Sequence, residues 1–132
     1  MSNSNLDLTL RAYEASLRGP YEDFVALLDE HVSIVLPASL PHGGAYRGKA
    51  GARELRERLM LAWAEFAVEA LEFLTGQDSV IAIIRLKAVA RATGKSVDMR
   101  IAEFWRFAEG KVVELSAYYF DTKVVFDACT LK

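Results

Sequence analysis

Glu103 is the only acid in an otherwise apolar file. In VDMRIAEFWRF (97–107), one side carries Val97, Met99, Ile101, Glu103, Trp105 and Phe107. The other side carries Asp98, Arg100, Ala102, Phe104 and Arg106. A strand sends successive side chains to opposite faces, so the apolar file faces a core and takes Glu103 inward. Apolar surroundings disfavour the charged carboxylate. Such a group suits acid–base work, or hydrogen bonding to a developing oxyanion. A second stretch, 113–121, lines up Val113, Leu115, Ala117, Tyr119 and Asp121, and also ends in an acid. The structural alternatives are a satisfied buried Glu103 and an Asp121 that caps the C-terminal segment.

The turn between the stretches decides whether the two files share a face. A three-residue loop, Ala108-Glu109-Gly110, sets Phe107 opposite Lys111 and Glu103 opposite Leu115, with both files inward. A two-residue loop shifts the register by one and brings Ser116, Tyr118 and Phe120 beside Glu103. The first register is the expected one. Asp121 then lies six residues beyond Leu115, which is roughly 20 Å of strand. The two acids would work at opposite ends of a substrate.

The elements that must position these residues follow from periodicity. Leu6, Leu10, Tyr13 and Leu17 recur at helical spacing, with Ser4 or Asn5 as cap and Gly19 as stop. Pro20 suits the first turn of a second helix carrying Phe24, Leu27 and Leu28. HVSIVL (31–36) reads as a short strand, and a loop runs on through Gly51. Leu55, Leu59, Ala62, Trp63 and Phe66 form the stripe of a third helix over about 49–65. A meander of four segments follows: 66–74, 78–91, 95–107 and 111–122. The first of these is ambiguous, because propensity favours helix there.

The loop PHGGAYRGKAG (41–51) matches G-x-x-x-x-G-K, a phosphate-loop pattern. Ala50 stands where that loop needs Ser or Thr, and the preceding LPASLPH is no parallel strand. The glycines therefore read as turn residues. HGG is also an oxyanion-loop pattern of some esterases, but the chain has no G-x-S-x-G. Arg47, Lys49, Arg53, Arg56 and Arg58 read as a solvated helix face, with Glu54 and Arg58 able to pair.

LPHGGAYRGKAG entering a helix, EFWRFAEGKVVEL as a hairpin and AYYFDT near the end are similar to the SnoaL-like group. That group belongs to the nuclear-transport-factor-2-like superfamily, with polyketide cyclases, ketosteroid isomerase and limonene epoxide hydrolase. The resemblance spans about residues 6–125. It implies an α+β cone: three helices packed on a strongly curved, mainly antiparallel sheet around an apolar pocket, often dimeric through the outer sheet face. By comparison with ketosteroid isomerase, Glu103 falls at its protonated aspartate and Tyr13 near its oxyanion-hole tyrosine. Its catalytic base falls on Leu36, which takes no proton, so steroid isomerisation as such is rejected. The epoxide-hydrolase pattern fails at Ala117. The SnoaL-like cyclases use a late aspartate as general acid–base, and Asp121 is the nearest match.

The expected function is cofactor-free acid–base proton transfer, as cyclase, isomerase or lyase, on an apolar carbonyl-bearing substrate. Asp121, Glu103 and Tyr13 are the candidate catalytic residues. Leu36, His42, Trp63, Met99, Trp105 and Tyr119 are the candidate substrate contacts; the tryptophans and Tyr119 read equally as core. A non-catalytic ligand-binding or dimerisation module of the same fold is the alternative. Phe104, Tyr118 and Phe120, with small Ala102 and Ser116 between them, would expose an apolar face in a monomer, so a homodimer is expected.

Composition bounds these readings. At 132 residues and 52% hydrophobic, the chain suits one domain (1–132) with a packed core. Its net charge of −2 argues against nucleic acid. Two histidines and one cysteine argue against a metal site. No apolar run reaches the ~18 residues that span a membrane. MSNSNLDLTL lacks the features of a signal peptide, so a cytoplasmic location is expected.

Overall fold

The structure, a computed structural model, describes residues 4–131. Four helices and six strands appear among them: α1 (Ser4–Arg18), α2 (Tyr21–Ala26), β1 (Leu28–Leu36), β2 (Gly44–Arg47), α3 (Gly48–Ala62), β3 (Trp63–Thr75), β4 (Ser79–Ala90), β5 (Ser96–Ala108), β6 (Lys111–Tyr119) and α4 (Thr122–Cys129). The strands form one curved, unclosed sheet in the order β2-β1-β6-β5-β4-β3. All neighbours are antiparallel except β1 and β6. This is the α+β architecture that the sequence implies, with a fourth helix added after the meander.

The helices answer to their sequences with local differences. Leu8, Thr9 and Ala12 form the buried face of α1, whereas Leu10 and Leu17 are exposed. Ser4 and Asn5 already lie inside the helix, so its cap falls outside the described residues. Gly19 ends it in the left-handed region (φ 72°), and its N–H donates to the Ala15 carbonyl at 2.8 Å. Pro20 is the N-cap of α2. Strand β1 starts at Leu28, earlier than expected.

The glycine loop contains a strand that the sequence reading did not anticipate. Residues 44–47 pair antiparallel with β1, Tyr46 opposite Ile34. A Cβ on Gly43 would stand 2.0 Å from the Pro37 carbonyl oxygen. Close backbone packing, not a phosphate, is what demands glycine there.

The ambiguous segment is strand. From Trp63 to Thr75, β3 pairs with β4 along its length, so sheet pairing overrides helix propensity. It is an edge strand that carries Glu65, Glu69 and Glu72, and charge on an edge discourages pairing with another chain.

The β5–β6 hairpin departs from the expected register while keeping the expected face. Its loop has two residues, not three: Ala108 pairs with Lys111 across Glu109 and Gly110, both at positive φ (51° and 75°). That loop alone would turn Ser116 and Tyr118 inward. A bulge follows, because Phe107 pairs with Val112 but Arg106 pairs with Glu114. The extra residue, Val113, shifts the parity back. Glu103 therefore faces Ala117 rather than Leu115, and Leu115, Ala117 and Tyr119 share its side of the sheet.

Candidate functional site

The inner face of the sheet and helices α1–α3 enclose a cavity of about 390 Å³. Its buried wall includes Phe24, Ile34, Ile84, Leu86, Ile101 and Trp105. Leu17, Met60, Phe66 and Arg91 line it but remain exposed, so they mark the rim.

One polar cluster sits within this apolar lining. Glu103 comes from β5 and Tyr13 from α1, ninety positions apart in the chain. The Tyr13 hydroxyl donates to Glu103 Oε1 at 2.5 Å. The same Tyr13 oxygen accepts from Trp105 Nε1 at 3.1 Å. Tyr13 and Trp105 also meet edge to face, with ring centroids 5.3 Å apart. Glu103 makes no other side-chain hydrogen bond among the described residues, so Oε2 is left for the cavity that the residue lines. Burial raises the Glu103 pKa, and the Tyr13 hydrogen bond opposes that rise. Burial, reinforced by Glu103, pushes the Tyr13 phenol far above its usual range, so Tyr13 stays neutral.

A second polar pair lies beside the first. Tyr119 pairs with Ile101 and Glu103 with Ala117, which makes Tyr119 and Glu103 diagonal neighbours on one face. The Tyr119 hydroxyl is 3.0 Å from His42 Nε2. Burial raises the Tyr119 pKa, and the Glu103 charge adds to it. His42 is fully buried behind Tyr119, and burial pushes its pKa down to about 4, so it is neutral near pH 7. Tyr46 anchors this loop by donating to the His42 carbonyl at 2.8 Å. His42 Nδ1 and Trp63 Nε1 are buried without hydrogen-bond partners.

Of the expected site residues, the structure brings Glu103, Tyr13, Leu36, Trp63, Trp105 and Tyr119 onto the cavity. His42 stands one layer behind it. Met99 is buried opposite Leu86 and belongs to the core. Asp121 needs correction. Strand β6 stops at Tyr119, and the Asp121 carboxylate caps α4 by accepting from the N–H groups of Lys123 (3.0 Å) and Val124 (3.2 Å). It is absent from the cavity wall. Arg56 is the cavity residue that the sequence reading placed in solvent. The missed signal was its helical spacing, three residues before Leu59 on the inward stripe. No group of three His, Cys, Asp or Glu residues is placed to hold a metal ion among the described residues. No described helix is long and apolar enough to cross a membrane.

Comparisons place this geometry in a family. An NTF2-like protein of unknown function from Burkholderia pseudomallei superposes with a TM-score of 0.91 at 20% identity, covering 98% of this chain and 100% of that one. An NTF2-like protein from Burkholderia thailandensis gives 0.89 at 26% identity, covering 99% and 100%. A protein from Jannaschia sp. assigned as a SnoaL-like polyketide cyclase gives 0.84 at 16%, covering 98% and 93%. No curated protein matches. The SnoaL-like domain model matches residues 9–115, and the chain belongs to that family.

Proposed function

We propose that the chain is a small-molecule enzyme that moves a proton on an apolar, carbonyl-bearing substrate, with Glu103 as the proton carrier. The observation that carries this reading is a single carboxyl, among the described residues, on an apolar cavity wall, with one oxygen held by Tyr13 and the other free. A volume of about 390 Å³ fits the ~300–1,000 Å³ of small-molecule sites. Tyr13 orients the carboxyl, and Trp105 fixes the Tyr13 hydroxyl so that its proton points at Glu103. The ionised form takes a proton from the carbon next to the carbonyl, and the neutral form returns it. One carboxyl suffices when removal and return occur on the same face of the substrate.

Tyr119 supplies the complementary donor. An orphaned buried N–H is rarer than an under-satisfied acceptor. That favours the His42 tautomer protonated at Nε2, with Nδ1 as the orphan. His42 then donates to the Tyr119 oxygen, and the Tyr119 O–H is free to meet the enolate oxygen. A wall with one carboxyl among the described residues suits a pure binding module as well, so the test must separate the two.

Carbon-acid exchange in deuterium oxide does so without knowledge of the product. A panel of aryl and bicyclic ketones is incubated with protein, and deuterium uptake is read by mass spectrometry. Exchange above the buffer rate is expected, reduced ~100-fold or more by Glu103→Gln. Binding of these ketones with no exchange would establish the module reading instead.

The reading extends to assembly: the outer face of the sheet joins a second copy of the chain. Across that face Leu74, Ile81, Phe104, Ser116, Val35 and Ala45 are aligned by the strand register, one from each strand.

A further inference from the structure

The cavity holds a cation that the proton-transfer reading does not use. Arg56 lines the wall from α3, one helical turn before Met60 on the rim. Its guanidinium carbon lies 4.7 Å from the centroid of the Tyr21 ring. Tyr21 is itself fixed, because its hydroxyl donates to the Ala52 carbonyl at 2.8 Å. The other α3 arginines are neutralised. Arg53 makes two hydrogen bonds to Glu22, at 2.9 and 2.8 Å. Arg58 pairs with Glu54 at 3.0 Å. Arg56 has no ion pair and no side-chain hydrogen bond among the described residues, although it is half-buried.

Arg91 adds charge at the same rim but is already engaged. It donates to the Met60 carbonyl at 3.0 and 3.3 Å and to the Trp63 carbonyl at 2.9 Å. Among the described residues, the only carboxyl on the wall is Glu103, which Tyr13 already binds. The wall thus has a half-buried guanidinium whose fork of donors lacks an acceptor, next to an apolar interior. Arginine recognises a planar carboxylate through two parallel hydrogen bonds.

We propose that the natural ligand is an amphipathic carboxylate, with its apolar body in the cavity and its carboxylate on Arg56. The carboxylate then sits at the rim while the reacting carbonyl reaches Glu103 and Tyr119 on the wall. The inference rests on the cavity reading above and names the substrate class for that same site.

The test uses a matched pair of probes, naphthaleneacetate and naphthaleneacetamide. Both tryptophans of the chain, Trp63 and Trp105, line the cavity, so intrinsic fluorescence reports occupancy. The wild-type protein is expected to bind the acetate ~10-fold or more tightly than the amide, as a charge-assisted pair allows. Arg56→Gln should abolish that preference by lowering the acetate affinity to that of the amide in the same variant. Arg56→Lys should keep part of it, and Arg53→Gln all of it. Added salt should shrink the preference in the wild type. Equal affinities in the wild type, or a preference that survives Arg56→Gln in a variant with wild-type circular dichroism, would overturn the inference alone. Failure of both probes to bind would overturn the cavity reading and the inference with it.

Discussion

Glu103 and His42 are both buried by the same fold, yet they bias its stability in opposite directions with pH. Burial raises the Glu103 pKa above its ordinary 4.5. Its contribution is complete below that value and fades as pH climbs through the folded-state pKa. His42 is depressed from 6.5 to about 4. Its contribution is complete above 6.5 and is lost as pH falls toward 4, ~3 kcal/mol in all. Urea denaturation between pH 4 and 8 should therefore show two opposite trends. Relative to Glu103→Gln, the wild type should lose stability as pH rises. Relative to His42→Gln, it should lose stability as pH falls. Parallel curves for Glu103→Gln would mean that the carboxyl is not desolvated and would remove it from the proposed site. At this scale Glu103 was legible because one acid interrupts an apolar alternation. His42, expected as a substrate contact, is instead buried behind Tyr119, and nothing in the loop letters marks that burial, because its partners Tyr46 and Tyr119 are unmarked or distant in the sequence.

At the scale of elements, alternation specifies a face, while register depends on details that alternation does not encode. In β6 Leu115, Ala117 and Tyr119 face inward as expected, although Val112 takes the inward place expected for Val113 and Asp121 lies beyond the strand. The shared face arises from two differences that cancel, a shorter turn and a bulge at Val113. The bulge leaves no mark in the letters KVVEL, because both valines are equally apolar. The meander segment 66–74 is strand, as its place in the meander suggests. It was ambiguous only because helix propensity competes there, while the partner β4 that decides it is not written in the segment itself. Helix α4 was hidden because the meander was read through to 122, whereas Asp121 closes the strand and opens the helix. That cap makes a prediction against the sequence-based expectation. Asp121→Ala should cost about 1 kcal/mol of stability, as loss of an N-cap does. It should leave ketone exchange and probe binding unchanged when both are measured below the melting transition. Loss of exchange without loss of stability would return Asp121 to the site.

At the scale of the molecule, the outer face of the sheet asks for a partner. Two neighbouring cross-strand rows are largely apolar: Leu74, Ile81, Phe104, Ser116 and Val35, then Ile83, Ala102 and Tyr118 after Glu72. Leu74, Val35 and Tyr118 are among the exposed large hydrophobics, Tyr118 at 63%. Charged rows bracket them. Arg106, paired with Asp78 at 3.1 Å and near Glu114 at 3.6 Å, lies on one side. Arg85, paired with Asp98 at 2.7 Å, and Arg100 lie on the other. An apolar centre with a polar rim is the anatomy of a protein interface. Six strands at ~4.8 Å spacing span ~24 Å, a width compatible with the ~800 Å² per partner of a standard interface. Light scattering at micromolar concentration should therefore give twice the 14.7 kDa chain mass. Ile81→Glu places a charge in the central row and should shift the equilibrium toward monomer, since an unpaired charge in a desolvated interface is costly. Its inner-face neighbours are untouched, so acetate binding by the monomer should persist. A wild-type monomer at high micromolar concentration would overturn the assembly and leave the cavity reading intact.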